Sequence, residues 1–154
     1  MVADLVLTAL FGATVLAGFT LHRGFFLVRV TGPSMEPALR AGDRLLVRRV
    51  KADGLRPGRV CVVAEDDSTL TVKRAAAVPG DPVPAFLGTT GDGLVPAGRL
   101  VLLGDNRERS YDSRSFGYYR TDRLRGVAVG VGFGAWRGRL LPWRRLPMTS
   151  CASR

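Results

Sequence analysis

Ser34 stands in the run Thr31-Gly32-Pro33-Ser34-Met35-Glu36-Pro37, a Gly- and Pro-shaped turn directly after an apolar stretch. Such a turn exposes a side-chain oxygen and leaves a backbone N–H free beside it. A hydroxyl is a weak nucleophile until a positioned base takes its proton. The chain has one histidine, His22, at the end of an apolar segment, so a Ser-His-Asp triad would require that residue to fold back onto Ser34. The other available base is an amine, which works only when neutral, so its pKa must fall from about 10.4 through desolvation. Of the 23 basic residues only Lys51 and Lys73 are lysines. Lys51 lies in a charged, Gly/Pro-rich stretch and reads as a solvated surface residue. Lys73 follows Leu70-Thr71-Val72 and precedes Arg74-Ala75-Ala76-Ala77-Val78. Strand alternation puts Lys73 and Ala75 on one face and Val72 and Arg74 on the other. An apolar neighbourhood without a paired carboxylate would lower its pKa, whereas an exposed strand position would leave it ordinary.

A third segment is dense in hydrogen-bonding groups and follows the apolar run 100–103: Gly104-Asp105-Asn106-Arg107-Glu108-Arg109-Ser110-Tyr111-Asp112-Ser113-Arg114-Ser115-Phe116-Gly117. Short polar side chains after a strand also make an ordinary loop. With Asp105, Ser110, Asp112 and Arg114 at these spacings, however, the loop can brace a site. A hydroxyl can orient an amine, and a carboxylate can hold Arg74 away from Lys73. Pro37, not the Lys that an S-x-x-K motif requires, stands three residues after Ser34, which speaks against a serine β-lactamase.

These residues need elements to place them. Downstream of Arg23, β-branched runs at 26–30, 44–49, 59–64, 69–78, 99–103 and 125–133 alternate with turn signals at 40–43, 56–58, 79–81 and 90–93. That spacing predicts a mostly β domain, a compact sheet or barrel instead of βαβ units. Upstream, residues 5–21 carry no charge, and residues 2–21 are long enough to span a bilayer as one helix. No basic n-region or small-residue cleavage site marks this segment as a removable leader. The expected organisation is an anchor at 2–21, a catalytic domain at 24–135 and a Trp/Arg-rich tail at 136–154. Arg23 and Arg29 follow the apolar segment, and charge alone would place that side in the cytoplasm. The apolar run Phe25-Phe26-Leu27-Val28 is placed to dip into the membrane interface just before Ser34.

Taken in order, the three segments resemble the conserved boxes of type I signal peptidases (peptidase family S26). The Ser-Met-x-Pro box is Ser34-Met35-Glu36-Pro37, followed by Gly42-Asp43. The Lys-Arg box is Lys73-Arg74 with Pro79-Gly80-Asp81, and the Gly-Asp-Asn…Ser-x-Asp-Ser-Arg box runs from Gly104 to Arg114. The resemblance covers residues 5–130. It implies a signal-peptidase-like β domain after one transmembrane helix, and a serine endopeptidase cleaving secretory precursors after small residues, of Ala-x-Ala type. The catalytic domain would lie on the outer face of the cytoplasmic membrane, against the orientation that charge suggests. Ser34 would be the nucleophile, Lys73 the general base and Ser110 the hydroxyl that orients the amine. Arg74, Asp105, Asp112 and Arg114 match bracing positions, and Val30, Met35 and Val72 match walls of the small-residue pocket. The Ser34 N–H would meet the oxyanion. Gly32 stands where some members carry a hydroxyl, and Ala75-Ala76-Ala77-Val78 replaces the more usual Val-Val-Gly-Leu. The short stretch 81–98 leaves room only for a minimal core.

Composition bounds the alternatives. The 46% apolar and 23% charged content suits one folded domain. The net charge of +10 comes from scattered arginines without a basic run or zinc-finger pattern, so nucleic acid is not an expected partner. Expected partners are secretory precursors and the lipid bilayer, with the protein a monomer and no metal or cofactor. Cys61 and Cys151 lack metal-ligand spacing; Cys61 reads as a core residue and Cys151 as part of the tail. The competing readings are a dedicated maturation peptidase for one secreted substrate, a self-cleaving repressor-like peptidase, against which the membrane segment speaks, and a non-catalytic, membrane-attached basic binding protein.

Overall fold

The computed structural model describes residues 6–7, 10–12, 14, 23–87 and 93–132. Seven strands form one sheet: β1 (Phe25–Arg29), β2 (Arg44–Arg48), β3 (Val60–Ala64), β4 (Leu70–Ala77), β5 (Arg99–Leu103), β6 (Tyr119–Arg120) and β7 (Leu124–Gly132). The order across the sheet is β1-β2-β7-β3-β4-β5-β6, so β7 returns to the middle and β1 and β6 are the two edges. Every pairing is antiparallel. The sequence expected six of these strands within a residue or two. It missed β6, which is two residues long and pairs Leu100 with Tyr119.

The residue types explain the placement of each strand. All five residues of β3 (Val60, Cys61, Val62, Val63, Ala64) are buried, as suits a central strand covered on both faces. Val60 and Val62 join Leu45, Val47, Val72, Ala128 and Val131 in one cluster. Cys61 and Val63 join Leu55, Ala75, Leu100, Leu102, Leu124 and Val127 in another. Burying each such Val or Leu contributes roughly 1.5–3 kcal/mol. On β2, by contrast, Leu45 and Val47 are buried while Arg44, Leu46 and Arg48 are exposed, so here only one face is covered.

Glycine is required where backbones cross. β7 pairs with both β2 and β3, and its register against each shifts by a residue. A Cβ on Gly126 would stand against the Arg48 carbonyl and 2.7 Å from Val47 Cγ1, closer than side chains tolerate. The turns expected at 40–43, 56–58 and 79–81 carry positive φ at Gly42, Gly58 and Gly80, the left-handed region that favours glycine.

Among the described residues no helix is long and apolar enough to cross a membrane. The anchor expected at 2–21 falls mostly outside them. Its described residues are helical, with the Thr14 hydroxyl donating to the Leu10 carbonyl at 2.8 Å. The tail at 136–154, with Cys151, and His22 also lie outside the described residues. Cys61 is the buried core residue expected, and burial pushes its thiol up to about 12.

Candidate active site

Lys73 lies in the middle of β4, opposite Cys61 on β3, and shares a face with Ala75 as alternation requires. It is only 4% exposed. A charged amine there is poorly solvated, and burial holds Lys73 below the ordinary lysine range, with Asp112 and Glu65 pulling it back up and Arg114 adding to the depression. Neither carboxylate forms an ion pair with it among the described residues. The one described partner of the amine is a hydroxyl: Nζ donates to Ser110 Oγ at 3.0 Å.

Ser110 in turn donates to Asp112 Oδ2 at 2.7 Å. The orientation of the chain follows. Because the single hydroxyl proton of Ser110 goes to Asp112, its lone pairs face Lys73, and the amine must spend an N–H there. Asp112 is fully buried and anchors the whole loop. It accepts from the Gly104 N–H at 2.8 Å, from the Arg114 N–H at 3.1 Å and from the Arg114 guanidinium at 3.0 and 2.6 Å. Burial alone would raise its carboxyl, but Arg114, Gly104 and Ser110 together hold it below the ordinary carboxylate range. As the N-cap of the short helix α1 (Ser113–Phe116), Asp112 also fixes where the loop turns. The neighbouring Ser113 hydroxyl accepts from the Leu102 N–H at 2.9 Å, pinning the loop to β5.

Arg74 faces away from Lys73, as expected. Its guanidinium grips Asp105 through two bonds of 2.7 and 2.6 Å and donates to the Gly58 carbonyl at 2.8 Å. Both partners are partly exposed, and they tie β4 to the start of the loop after β5.

Ser34 reaches the same place from the other side. It lies in the turn after β1, where Glu36 N–H donates to the Pro33 carbonyl at 3.1 Å and Leu39 N–H to the Met35 carbonyl at 2.9 Å. The Ser34 carbonyl accepts from the Asn106 N–H at 2.9 Å. A Cβ placed on Gly104 would meet both Ser110 Oγ and, at 2.6 Å, the Ser34 carbonyl oxygen, so the Ser34 loop and the Ser110 hydroxyl flank one point. Neither the Ser34 hydroxyl nor its N–H has a hydrogen-bond partner among the described residues. Gly32 has open space where a side chain would be.

Val30, Met35 and Val72 come together in one core cluster with Leu39, Leu45 and Val47, against which Phe26 and Val28 pack. Met35 has no exposed surface, while Val30 and Val72 are almost covered. Sequence reasoning overlooked three contributors. Gly104 permits the close approach of the two loops, Asn106 supplies the N–H that ties down Ser34, and Glu65, the residue directly after β3, acts on the amine through its field. A glycine directly between an apolar strand and a polar loop was the available signal for the first. No cluster of His, Cys, Asp and Glu suited to a metal occurs among the described residues.

The sequence profile described as signal peptidase, peptidase S26, matches residues 84–133, and a peptidase S24-like profile matches residues 11–82. Signal peptidase IB of Staphylococcus aureus (strain COL) is 31% identical over 147 residues of alignment, which span 70% of this chain and 75% of that protein. A mitochondrial ATP-independent inner membrane protease subunit 1b from Arabidopsis thaliana is 30% identical over 132 residues, spanning 79% of this chain and 70% of that one. A solved signal peptidase I from Enterococcus faecalis covers 66% of this chain and 91% of its own at 23% identity, but its TM-score of 0.22 is too low to carry a structural comparison. With segments in the family's order and relatives matched over most of their length, this chain belongs to the type I signal peptidase family of serine peptidases.

Proposed function

We propose that this protein removes signal peptides from secreted precursors after small residues, using Ser34 as nucleophile and Lys73 as general base. The observation that supports this best is the directed chain Lys73 to Ser110 to Asp112, with a nearly buried amine at its head. A neutral amine has two N–H bonds and one lone pair. Giving one N–H to Ser110 leaves the lone pair to be aimed at the Ser34 hydroxyl.

In acylation Ser34 Oγ attacks the scissile carbonyl carbon while its proton passes to Lys73 Nζ. The oxyanion takes the Ser34 N–H, a donor of a type whose removal lowers rates by about 10²–10³. Collapse expels the new amino terminus, which leaves with the proton from Lys73. Lys73, neutral again, deprotonates a water that attacks the acyl ester and regenerates Ser34. Arg74, Asp105, Asp112 and Arg114 act as braces that hold the base and its orienting hydroxyl. Val30, Met35 and Val72 shape the pocket for the small side chain before the cut. Residues 2–21 serve as a single-pass anchor, in keeping with the helical, exposed and apolar Val6, Leu7, Leu10 and Phe11. The domain at 24–135 then works as a monomer on the outer face of the cytoplasmic membrane.

The test is cleavage of a precursor with an Ala-x-Ala site by the detergent-solubilised chain, beside Ser34→Ala and Lys73→Ala. Cutting by wild type alone, with both variants folded, is the expected result. Cutting by either variant overturns the catalytic assignment, and an inert wild type points to a dedicated substrate or to a binding role.

A further inference from the structure

Between Ser110 and Asp112 the site loop holds a residue with no part in the chain to Lys73. Ser110 (φ −125°, ψ 120°) and Asp112 (φ −153°, ψ −163°) are both extended, so residues 110–112 form a strand-like step whose side chains alternate. Ser110 and Asp112 turn inward to Lys73 and Arg114, and Tyr111 turns outward, 70% exposed. Its ring is nonetheless supported. The centroid lies 5.2 Å from that of Phe116 on α1, and Phe116 packs edge-on at 4.8 Å against the nearly buried Tyr119 of β6. Three rings thus climb from the core to the surface and present Tyr111 as an apolar wall. The backbone beside it is unpaired as well: the N–H and C=O groups of Ser110 and Tyr111 bond no other described residue. An extended stretch with unpaired N–H and C=O groups is a template for another strand.

We propose that residues 110–112 are the subsite for the first residues after the cut, pairing with their backbone and taking an aromatic or large aliphatic side chain against Tyr111 and Phe116. The inference rests on the peptidase reading, because that reading fixes which way the substrate runs. The leaving amine takes its proton from Lys73 Nζ, so it passes within about 3 Å of that atom. Nζ is itself 3.0 Å from Ser110 Oγ. The new amino terminus therefore emerges within about 6 Å of the Ser110 hydroxyl. Each extended residue adds about 3.3 Å, so the first or second residue after the cut comes level with Tyr111. The half of the substrate before the cut lies on the other side of the scissile bond, toward Val30, Met35 and Val72. In strand order β6 is the edge opposite β1, which disfavours a lipid cover continuous with the apolar segment 5–21.

The assay is kcat/KM of the detergent-solubilised full chain on paired peptides that share an Ala-x-Ala site and differ only in carrying Phe or Ala at the first or the second position after the cut. The expected result is a preference for Phe of about three- to tenfold at one of these positions, the range of an added aromatic contact. Tyr111→Ala should bring that ratio to about one, and Tyr111→Phe should keep it. The same exchange at the x position before the cut should give a ratio that neither variant alters. At 70% exposure Tyr111 can be shortened without opening the core. Wild type with no preference overturns the proposal. So does a preference that survives Tyr111→Ala, and so does an effect of Tyr111→Ala confined to the residue before the cut, which would put the ring on the other half of the substrate.

Failure of the peptidase reading is separately visible, as a wild type that cuts none of the peptides. The subsite is then read by binding. The chain has three tyrosines, so 3-fluorotyrosine protein carrying Ser34→Ala gives three fluorine resonances, with that of Tyr111 assigned by Tyr111→Phe. Titration with the Phe peptide should move the Tyr111 resonance several-fold more than titration with the Ala peptide. Equal or absent movement sinks the subsite, whatever wild type cleaves.

Discussion

Gly104→Ala places one methyl group at the point where the Ser34 loop meets the Ser110 hydroxyl that bonds Lys73. Its Cβ would lie 2.5 Å from Ser110 Cβ and 2.6 Å from the Ser34 carbonyl oxygen. Ordinary non-bonded contacts with carbon lie at about 3.5–4.0 Å, so one or both groups must retreat by about 1 Å. Overpacking of this kind costs about 1–3 kcal/mol of stability. Its effect on turnover is larger, because a displacement of about 1 Å at a reacting centre lowers rates by about 10². The assay is kcat and KM on a peptide with an Ala-x-Ala site, alongside a thermal melt. The expected outcome is a folded variant with kcat down about 100-fold and KM little changed. Gly130→Ala, whose Cβ meets only Leu46 at 3.8 Å, serves as the control. A Gly104→Ala enzyme within about threefold of wild type would refute the reasoning, since a 1 Å shift would then be harmless or absent.

Asp112→Asn leaves Arg114 without its carboxylate and turns an amide N–H toward Ser110 or Gly104, at a cost of about 3 kcal/mol in chemical denaturation. Because Asp112 raises the Lys73 pKa, residual activity in this variant should also show its acid limb at lower pH than wild type. Lys73→Met should be inactive and more stable than wild type. Unfolding frees the lysine to bind a proton more tightly, so its stability penalty is absent above the unfolded pKa and grows as pH falls toward the lowered folded one; melts at several pH values read this directly. Tyr119→Phe removes a buried hydroxyl that has no partner among the described residues while keeping the ring edge-on to Phe116 at 4.8 Å. A gain of about 1 kcal/mol with unchanged kcat is expected, and a loss would show that the hydroxyl is satisfied in solution.

Local patterns made much of this legible. The strands were readable because β-branched runs such as 60–64 and 99–103 end at Gly, Pro or Asp, and the facing of Lys73 and Arg74 followed from period-two alternation. Ser110 and Asp112, which the structure joins to Lys73 by hydrogen bonds, fall in a segment that motif order picked out. The return of β7 between β2 and β3 was not readable, because strand order depends on long-range pairing that no local pattern encodes. Likewise the Asn106 tie to Ser34 uses backbone N–H and C=O, which every residue offers, so no residue type announces it. β6 escaped notice because two residues are too few to show a period.

Having only two lysines makes the central claim directly measurable. Protein labelled with ¹³C at lysine Cε should show two side-chain resonances, one from exposed Lys51 and one from Lys73, assigned with Lys51→Arg. A neutral Lys73 base requires its resonance to titrate below the ordinary lysine value of about 10.4, at the same pH as the acid limb of kcat/KM. A Lys73 resonance that moves only in the ordinary lysine range, while the acid limb of activity lies elsewhere, would mean that the amine is charged at working pH and is not the base.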